Sequence, residues 1–140
     1  MAYDPGNIFA KILRGEIPAH KVYEDERVLA FLDIMPRAAG HALVIPKAPA
    51  LNLLDVEAAD LAAVMAVAQR IARAQMKVFA AEGITLSQHN EKAGGQEVFH
   101  LHVHVIPRHI GVELRAPLSY KEASEVLAEQ AARLKTALMG

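Results

Sequence analysis

His100, His102 and His104 alternate with aliphatic residues in the run His100-Leu101-His102-Val103-His104-Val105-Ile106. Neutral imidazole is a nucleophile and a proton carrier near neutral pH, because its ordinary pKa of about 6.5 leaves much of it unprotonated there. It is also a common metal ligand, and a His-x-His pair on a strand can hold zinc. Alternation with a period of two is the pattern of a half-buried β-strand. The spacing therefore predicts a strand over His100–Ile106, with the imidazoles on one face and Leu101, Val103 and Val105 anchored in a core on the other. Neighbouring histidines on that face stand roughly 7 Å apart and the outer two roughly 14 Å, so all three cannot converge on one ion. Pro107 has no N–H to give to a ladder and is expected to end the strand.

Other residues gain weight from their distance to this run. Gly94-Gly95 lies in the polar loop Glu91–Glu97 just before it. Paired glycines let backbone N–H groups approach a phosphate closely, although most such pairs are plain turns. Asp33 is a carboxylate at the end of an apolar run and needs a hydrogen-bond partner. It reads either as the cap of the following turn or as an acceptor for a pair of ligand hydroxyls. His41 opens another apolar run and by its position alone says little.

The elements that must place these residues follow from periodicity. Asn7 is a plausible N-cap for a short helix through Ile8, Phe9, Ile12 and Leu13, stopped at Gly15. Strands are expected at Lys21–Glu24, Val28–Ile34, His41–Pro46 and Ile84–Asn90 before the histidine strand, with Asp25-Glu26-Arg27 as a hairpin turn. A long helix is expected from Val56 to Ala81, capped by Asp55 and ended by Gly83. Ser119-Tyr120-Lys121-Glu122 has the form of a capping box and should open a last helix from Tyr120 to Leu138. Neighbouring strands joined by short connections favour an antiparallel α+β sheet over a parallel doubly wound one. The expected fold is thus five antiparallel strands with a long central helix, a short N-terminal helix and a C-terminal helix.

Composition bounds the partners. The 140 residues fit one domain, 1–140, and at 53% hydrophobic they can bury a core without staples. A net charge of −1 gives no basic footprint for a nucleic acid polymer. No apolar run spans a bilayer, and Met1-Ala2-Tyr3-Asp4-Pro5 does not read as a signal peptide, so no membrane partner is expected. The absence of cysteine excludes disulfides and thiolate metal sites and fits a reducing cytoplasm, the compartment expected.

Taken together, these residues resemble a known family. His100 to Ile106 matches the His-φ-His-φ-His-φ-φ signature of the histidine triad (HIT) family, where φ is apolar. Gly94-Gly95-Gln96 precedes it at the family's spacing. Asn7 to Ile17 resembles the family's opening helix. Asp33-Ile34-Met35-Pro36 and Gly40-His41-Ala42-Leu43-Val44-Ile45-Pro46-Lys47 resemble its middle. The likeness runs from about residue 7 to 109 and is nearest to the Hint-like, bacterial-type branch.

The resemblance implies a homodimer in which two sheets join, and a metal-free reaction without cofactor at the α-phosphorus of a purine nucleotide. A nucleoside phosphoramidase is the reading it favours. Dinucleoside polyphosphate hydrolysis and a non-catalytic nucleotide- or metal-binding module are the alternatives. His102 would attack phosphorus and form a nucleotidyl-histidine, His104 would contact phosphate oxygens, and His100 and His41 would support them. Backbone N–H groups of Gly95, Gln96, Glu97 and Val98 would hold the phosphoryl charge, and Asp33 the ribose hydroxyls. Ile8, Phe9, Ile12, Phe31, Leu32 and Ile34 would line a purine slot. Family members carry an Asn in the preceding strand, matched here by His89 or Asn90, with Asn90 the favoured contact. Glu97 stands where Hint-like members often have Ser or Thr. It would repel phosphate if ionised, or give a proton if its pKa were raised. The cysteines that hold zinc in some bacterial members are missing.

Overall fold

The computed structural model describes all residues, Met1–Gly140. Five antiparallel strands form one sheet in the order β1-β2-β3-β5-β4: β1 Lys21–Glu24, β2 Val28–Leu32, β3 Ala42–Pro46, β4 Gly83–Ser87 and β5 Val103–Arg108. α1 (Ile8–Leu13) precedes them, α2 (Ala58–Val78) joins β3 to β4, and α3 (Ser124–Met139) ends the chain. The expected α+β architecture is what the chain adopts.

The sheet is covered on both faces, which is why every residue of β2 and β3 is buried and neither strand shows alternation in sequence. Val28, Ala30 and Leu32 of β2 pack toward α2 and α3 with Val103 and Val105 of β5. Leu29 and Phe31 point the other way, into a smaller core with Phe9 and Ile12 of α1 and Leu43 and Ile45 of β3. This second core fixes α1 against the sheet. α1 has its expected cap: the Asn7 side chain accepts the Ala10 N–H at 2.9 Å, and Gly15 takes the positive φ of +77° that stops it.

Several boundaries differ from expectation, each for a traceable reason. The histidine strand begins only at Val103, because its ladder with β3 runs no further than Val44 opposite Val103 and its ladder with β4 no further than Ser87 opposite His104. His100, Leu101 and His102 are extended without a ladder; the Leu101 N–H goes to the Ala50 carbonyl instead. Pro107 does not end β5. It pairs with Ile84 of β4, while β3 has already stopped at Ala42 opposite Val105, so the missing N–H costs no bond. β2 ends at Leu32 and β4 at Ser87, leaving Asp33, Ile34, His89 and Asn90 in loops.

α2 begins at Ala58. Asp55 does not cap it, because its carboxylate already accepts the N–H groups of Leu51 and Asn52 in the preceding turn. Nor does Gly83 end it: the helix stops at Val78, Ala80 takes a φ of +50°, and Gly83 starts β4. The capping box before α3 is not formed. The Ser119 hydroxyl donates to the Ala116 carbonyl, Glu122 accepts the N–H of Ala123, and the helix starts at Ser124. One polar residue of α2 ties the layers together. Gln75 is fully buried and donates to the carbonyls of Gly40 and Val105, at 3.0 and 2.8 Å.

Candidate active site

Four imidazoles gather at the end of β5, and hydrogen-bond partners with fixed roles settle the tautomer of each. His100 Nε2 lies 2.8 Å from the Pro46 carbonyl, so it carries the proton and donates. Its Nδ1 is then the acceptor for the Tyr3 hydroxyl at 2.6 Å. His102 Nδ1 is 2.8 Å from the His100 carbonyl and likewise donates, which leaves the lone pair on Nε2. That Nε2 has no partner in the chain, yet it is not sealed off. The fully buried side-chain atoms without partners are Gln75 Oε1 and Arg108 Nε alone, so solvent reaches the His102 nitrogen although the residue is 9% exposed. The Phe9 ring stands edge-on to His102 at 4.9 Å between centroids and fixes its plane.

The second pair is ordered from the loop between β2 and β3. The Arg37 N–H donates to His41 Nδ1 at 3.1 Å. His41 must therefore hold its own proton on Nε2 and donate it to His104 Nδ1 at 2.9 Å. His104 in turn carries its proton on Nε2, which has no partner in the chain. The His102 and His104 rings are 5.0 Å apart. Neighbouring rings thus carry a free lone pair and a free N–H, a combination suited to attack on phosphorus with donation to its oxygens.

Burial keeps all four neutral. Desolvation is the largest cause of a lowered pKa in each, with neighbouring positive forms adding to it in His41, His102 and His104; His41 falls to about 4 and His104 to about 3. In His102 the hydrogen bond to the His100 carbonyl opposes part of the drop. A nucleophilic imidazole needs its lone pair free, and a low pKa keeps it free at pH 7.

Asp33, His41 and His104 offer three donor atoms within 4.8 Å of one another, close enough to suggest a cation site. The hydrogen bonds argue otherwise. A metal on His41 Nε2 would move that proton to Nδ1, where it would face the Arg37 N–H. Asp33 Oδ2 is 3.7 Å from His41 Nε2, beyond hydrogen-bond reach, and Oδ1 accepts the Met35 N–H at 2.9 Å. The turn-capping role of Asp33 is therefore real, and one oxygen remains for another partner. Burial raises its pKa, with the Met35 bond pulling the other way.

The structure redistributes the other expected site residues. Phe9, Ile12 and Phe31 are packed together in the smaller core, with Phe9 and Phe31 edge-to-face at 5.4 Å, while Ile8 and Ile34 are exposed. Leu32 cannot line the same slot, because strand alternation turns it to the opposite face of the sheet, under α2 and α3. Ile8, Glu97 and Val98 do share a cleft of about 400 Å³ with Met1, Asp4 and Asn7.

Of the four amides expected to hold phosphate, two are engaged within the turn. The Gly95 N–H is used by the Lys92 carbonyl and the Gln96 N–H by the Glu91 carbonyl, closing the turn. The Gln96 side chain is fully engaged too, between Asn52, Glu91, Leu51 and Val98. The N–H groups of Glu97 and Val98 have no acceptor in the chain and are the free donors. The Asn90 side chain is engaged by the Leu53 N–H and by Gln88. The His89 ring lies 5.7 Å from His104 and passes over Gly95, where an added Cβ would come within 3.7 Å of it. Of the two residues the sequence offered for this position, His89 rather than the favoured Asn90 stands beside the histidine cluster. Tyr3, Arg37 and Asn52 left no signal in the sequence.

Comparison with known proteins agrees with this geometry. Residues 14–111 match the HIT domain. A HIT-like protein of Borreliella burgdorferi is 45% identical over 103 residues, 72% of this chain and 74% of its own. Adenosine 5′-monophosphoramidase HNT1 of Saccharomyces cerevisiae is 43% identical over 105 residues, 75% of this chain and 64% of its own. The crystal structure of a Hit-like protein from Bartonella henselae superposes with a TM-score of 0.94 at 50% identity, covering 98% of this chain and 99% of that one. With its histidine cluster built as described and this match across most of its length, the chain belongs to the HIT domain family.

Proposed function

We propose that this protein hydrolyses purine nucleotides at the α-phosphorus through a covalent nucleotidyl-His102 intermediate, and that nucleoside phosphoramidates are its substrates. One observation carries the reading: His102 Nδ1 is held by the His100 carbonyl, leaving an accessible Nε2 lone pair beside the His104 N–H. In the first step Nε2 attacks phosphorus and the bond to the amine breaks, the amine taking a proton from water. The phosphoimidazole gains positive character, which the His100 carbonyl steadies at Nδ1. His104 Nε2–H and the amides of Glu97 and Val98 hold the charge on the phosphoryl oxygens. Water then attacks phosphorus and gives up its proton to solvent, the bond to His102 breaks with its electron pair returning to Nε2, and nucleoside monophosphate leaves. Asp33, with one oxygen free, receives the ribose hydroxyls, and Ile8 and Ile34 flank the base.

Glu97 favours an amine as leaving group. Its exposed side chain projects from the residue whose amide is free, so a departing phosphate would meet a like charge there. A departing amine would not. The relation to a yeast adenosine 5′-monophosphoramidase supports the same choice. A second copy of the chain would extend the sheet along the open edge of β1 or β4.

The test is to quench the protein during turnover of adenosine 5′-phosphoramidate and map the adduct. An adenylate mass on the peptide containing His102 is expected. His102→Ala should lose both adduct and turnover while binding AMP within about threefold of the parent, since it removes a role made in the transition state. Turnover surviving in His102→Ala would dismiss the covalent route.

A further inference from the structure

The segment between β5 and α3 grips the loop that orders His41. The Arg115 N–H donates to the Arg37 carbonyl at 2.9 Å, and Arg37 Nε donates back to the Arg115 carbonyl at 2.8 Å. Arg115 Nη1 donates to the Pro36 carbonyl at 2.9 Å, and the Glu122 N–H to the Ile34 carbonyl at 3.0 Å. The ring of Tyr120, 4.3 Å from the guanidinium, holds Arg115 in place. Arg115 lies beyond residue 111, where the match to the family domain ends.

The Pro36 carbonyl and the Arg37 N–H are two ends of one peptide group. The guanidinium holds the carbonyl end, and the N–H end is the donor to His41 Nδ1. A planar peptide cannot turn its N–H without also turning its C=O. A cation on the oxygen also strengthens the N–H as a donor along the chain of bonds. If this peptide rotates, His41 loses the partner that selects its tautomer. The choice then passes to His104 through their shared bond.

We propose that Arg115 is a positioning residue for the histidine cluster: by clamping the Pro36–Arg37 peptide it keeps the proton of His41 on Nε2 and that of His104 on Nε2, facing the substrate. The consequence for catalysis rests on the function proposed above; the consequence for the tautomers does not.

Two variants of the full chain test it. Arg115→Met keeps an unbranched side chain but removes the guanidinium that bonds the Pro36 carbonyl and stacks on Tyr120, and Arg115→Lys restores one donor. Nitrogen NMR of histidine-labelled protein at pH 7 reads the tautomers directly. Arg115→Met should show both tautomers at His41 and His104, with kcat on adenosine 5′-phosphoramidate lowered about tenfold and KM changed less than about twofold. Arg115→Lys should return most of the single-tautomer signal and part of the rate. Arg27→Ala, which breaks an exposed ion pair with Asp60 away from the cluster, should leave the tautomers as in the parent. Single parent-like tautomers in Arg115→Met would overturn the proposal whatever the rate, and so would equal mixing in Arg27→Ala. Mixed tautomers in Arg115→Met, in a protein whose parent has no phosphoramidase activity, would uphold the clamp and refute the proposed function.

Discussion

Acid should destabilise this protein with a slope that can be assigned to individual histidines. Burial lowers His41 to about 4 and His104 to about 3, while in the unfolded chain each returns to an ordinary imidazole value. A base with a lowered folded pKa favours the native state in its neutral form. Its contribution is complete above the unfolded pKa, and it is lost as pH falls from there toward the folded value. At pH 5 both residues are protonated when unfolded, with a pKa of about 6.5, and mostly neutral when folded. Unfolding then takes up a little under two protons at these sites, a slope of about 2.5 kcal/mol per pH unit. His41 alone supplies roughly 1.2 of it and, integrated through both of its pKa values, about 3 kcal/mol. The assay is urea unfolding from pH 7.5 to 4.5 for the parent and for His41→Gln, which keeps an acceptor for Arg37 and a donor for His104. Carboxylates away from the cluster contribute equally to both proteins and cancel in the difference. Parallel pH dependences near pH 5 would refute the reasoning, because His41 could not then be a buried neutral base.

Two further substitutions probe the loop that carries Asp33 and His41. Gly40→Ala should cost about 3 kcal/mol or more in urea unfolding, because Gly40 has a φ of +83° and an added Cβ would stand 2.3 Å from the Phe79 ring; a loss under about 1 kcal/mol would mean the loop yields freely. Asp33→Ala should weaken binding of AMP about tenfold or more while leaving 2′,3′-dideoxy-AMP nearly unchanged. Equal losses for both nucleotides by calorimetry would place the ribose elsewhere.

The physical reasons for what could and could not be read from the chain lie in the range of each interaction. Alternation through His100–Ile106, the Asn7 cap and the apolar runs of β2 and β3 are local patterns, and they were enough to set the elements, their antiparallel order and the family. Local patterns mislead where a side chain has a better partner elsewhere. Asp55 and Ser119 have the right types for caps, but each is engaged by its own turn. The same holds for the loop before β5. Gly95 and Gln96 have free amides on paper and spend them closing their turn, and Asn90 is engaged by Leu53, while His89 stands beside His104.

By itself the sequence determined which groups could do chemistry: three alternating imidazoles on a strand, a glycine turn before them, and a carboxylate and a fourth histidine upstream. Only the tertiary structure decided where their protons sit. His41 meets His104 across 63 residues, and the Arg37 side chain meets the Arg115 carbonyl across 78. A tautomer is chosen by whichever fixed donor or acceptor the fold brings to one ring nitrogen, and no spacing along the chain contains that partner.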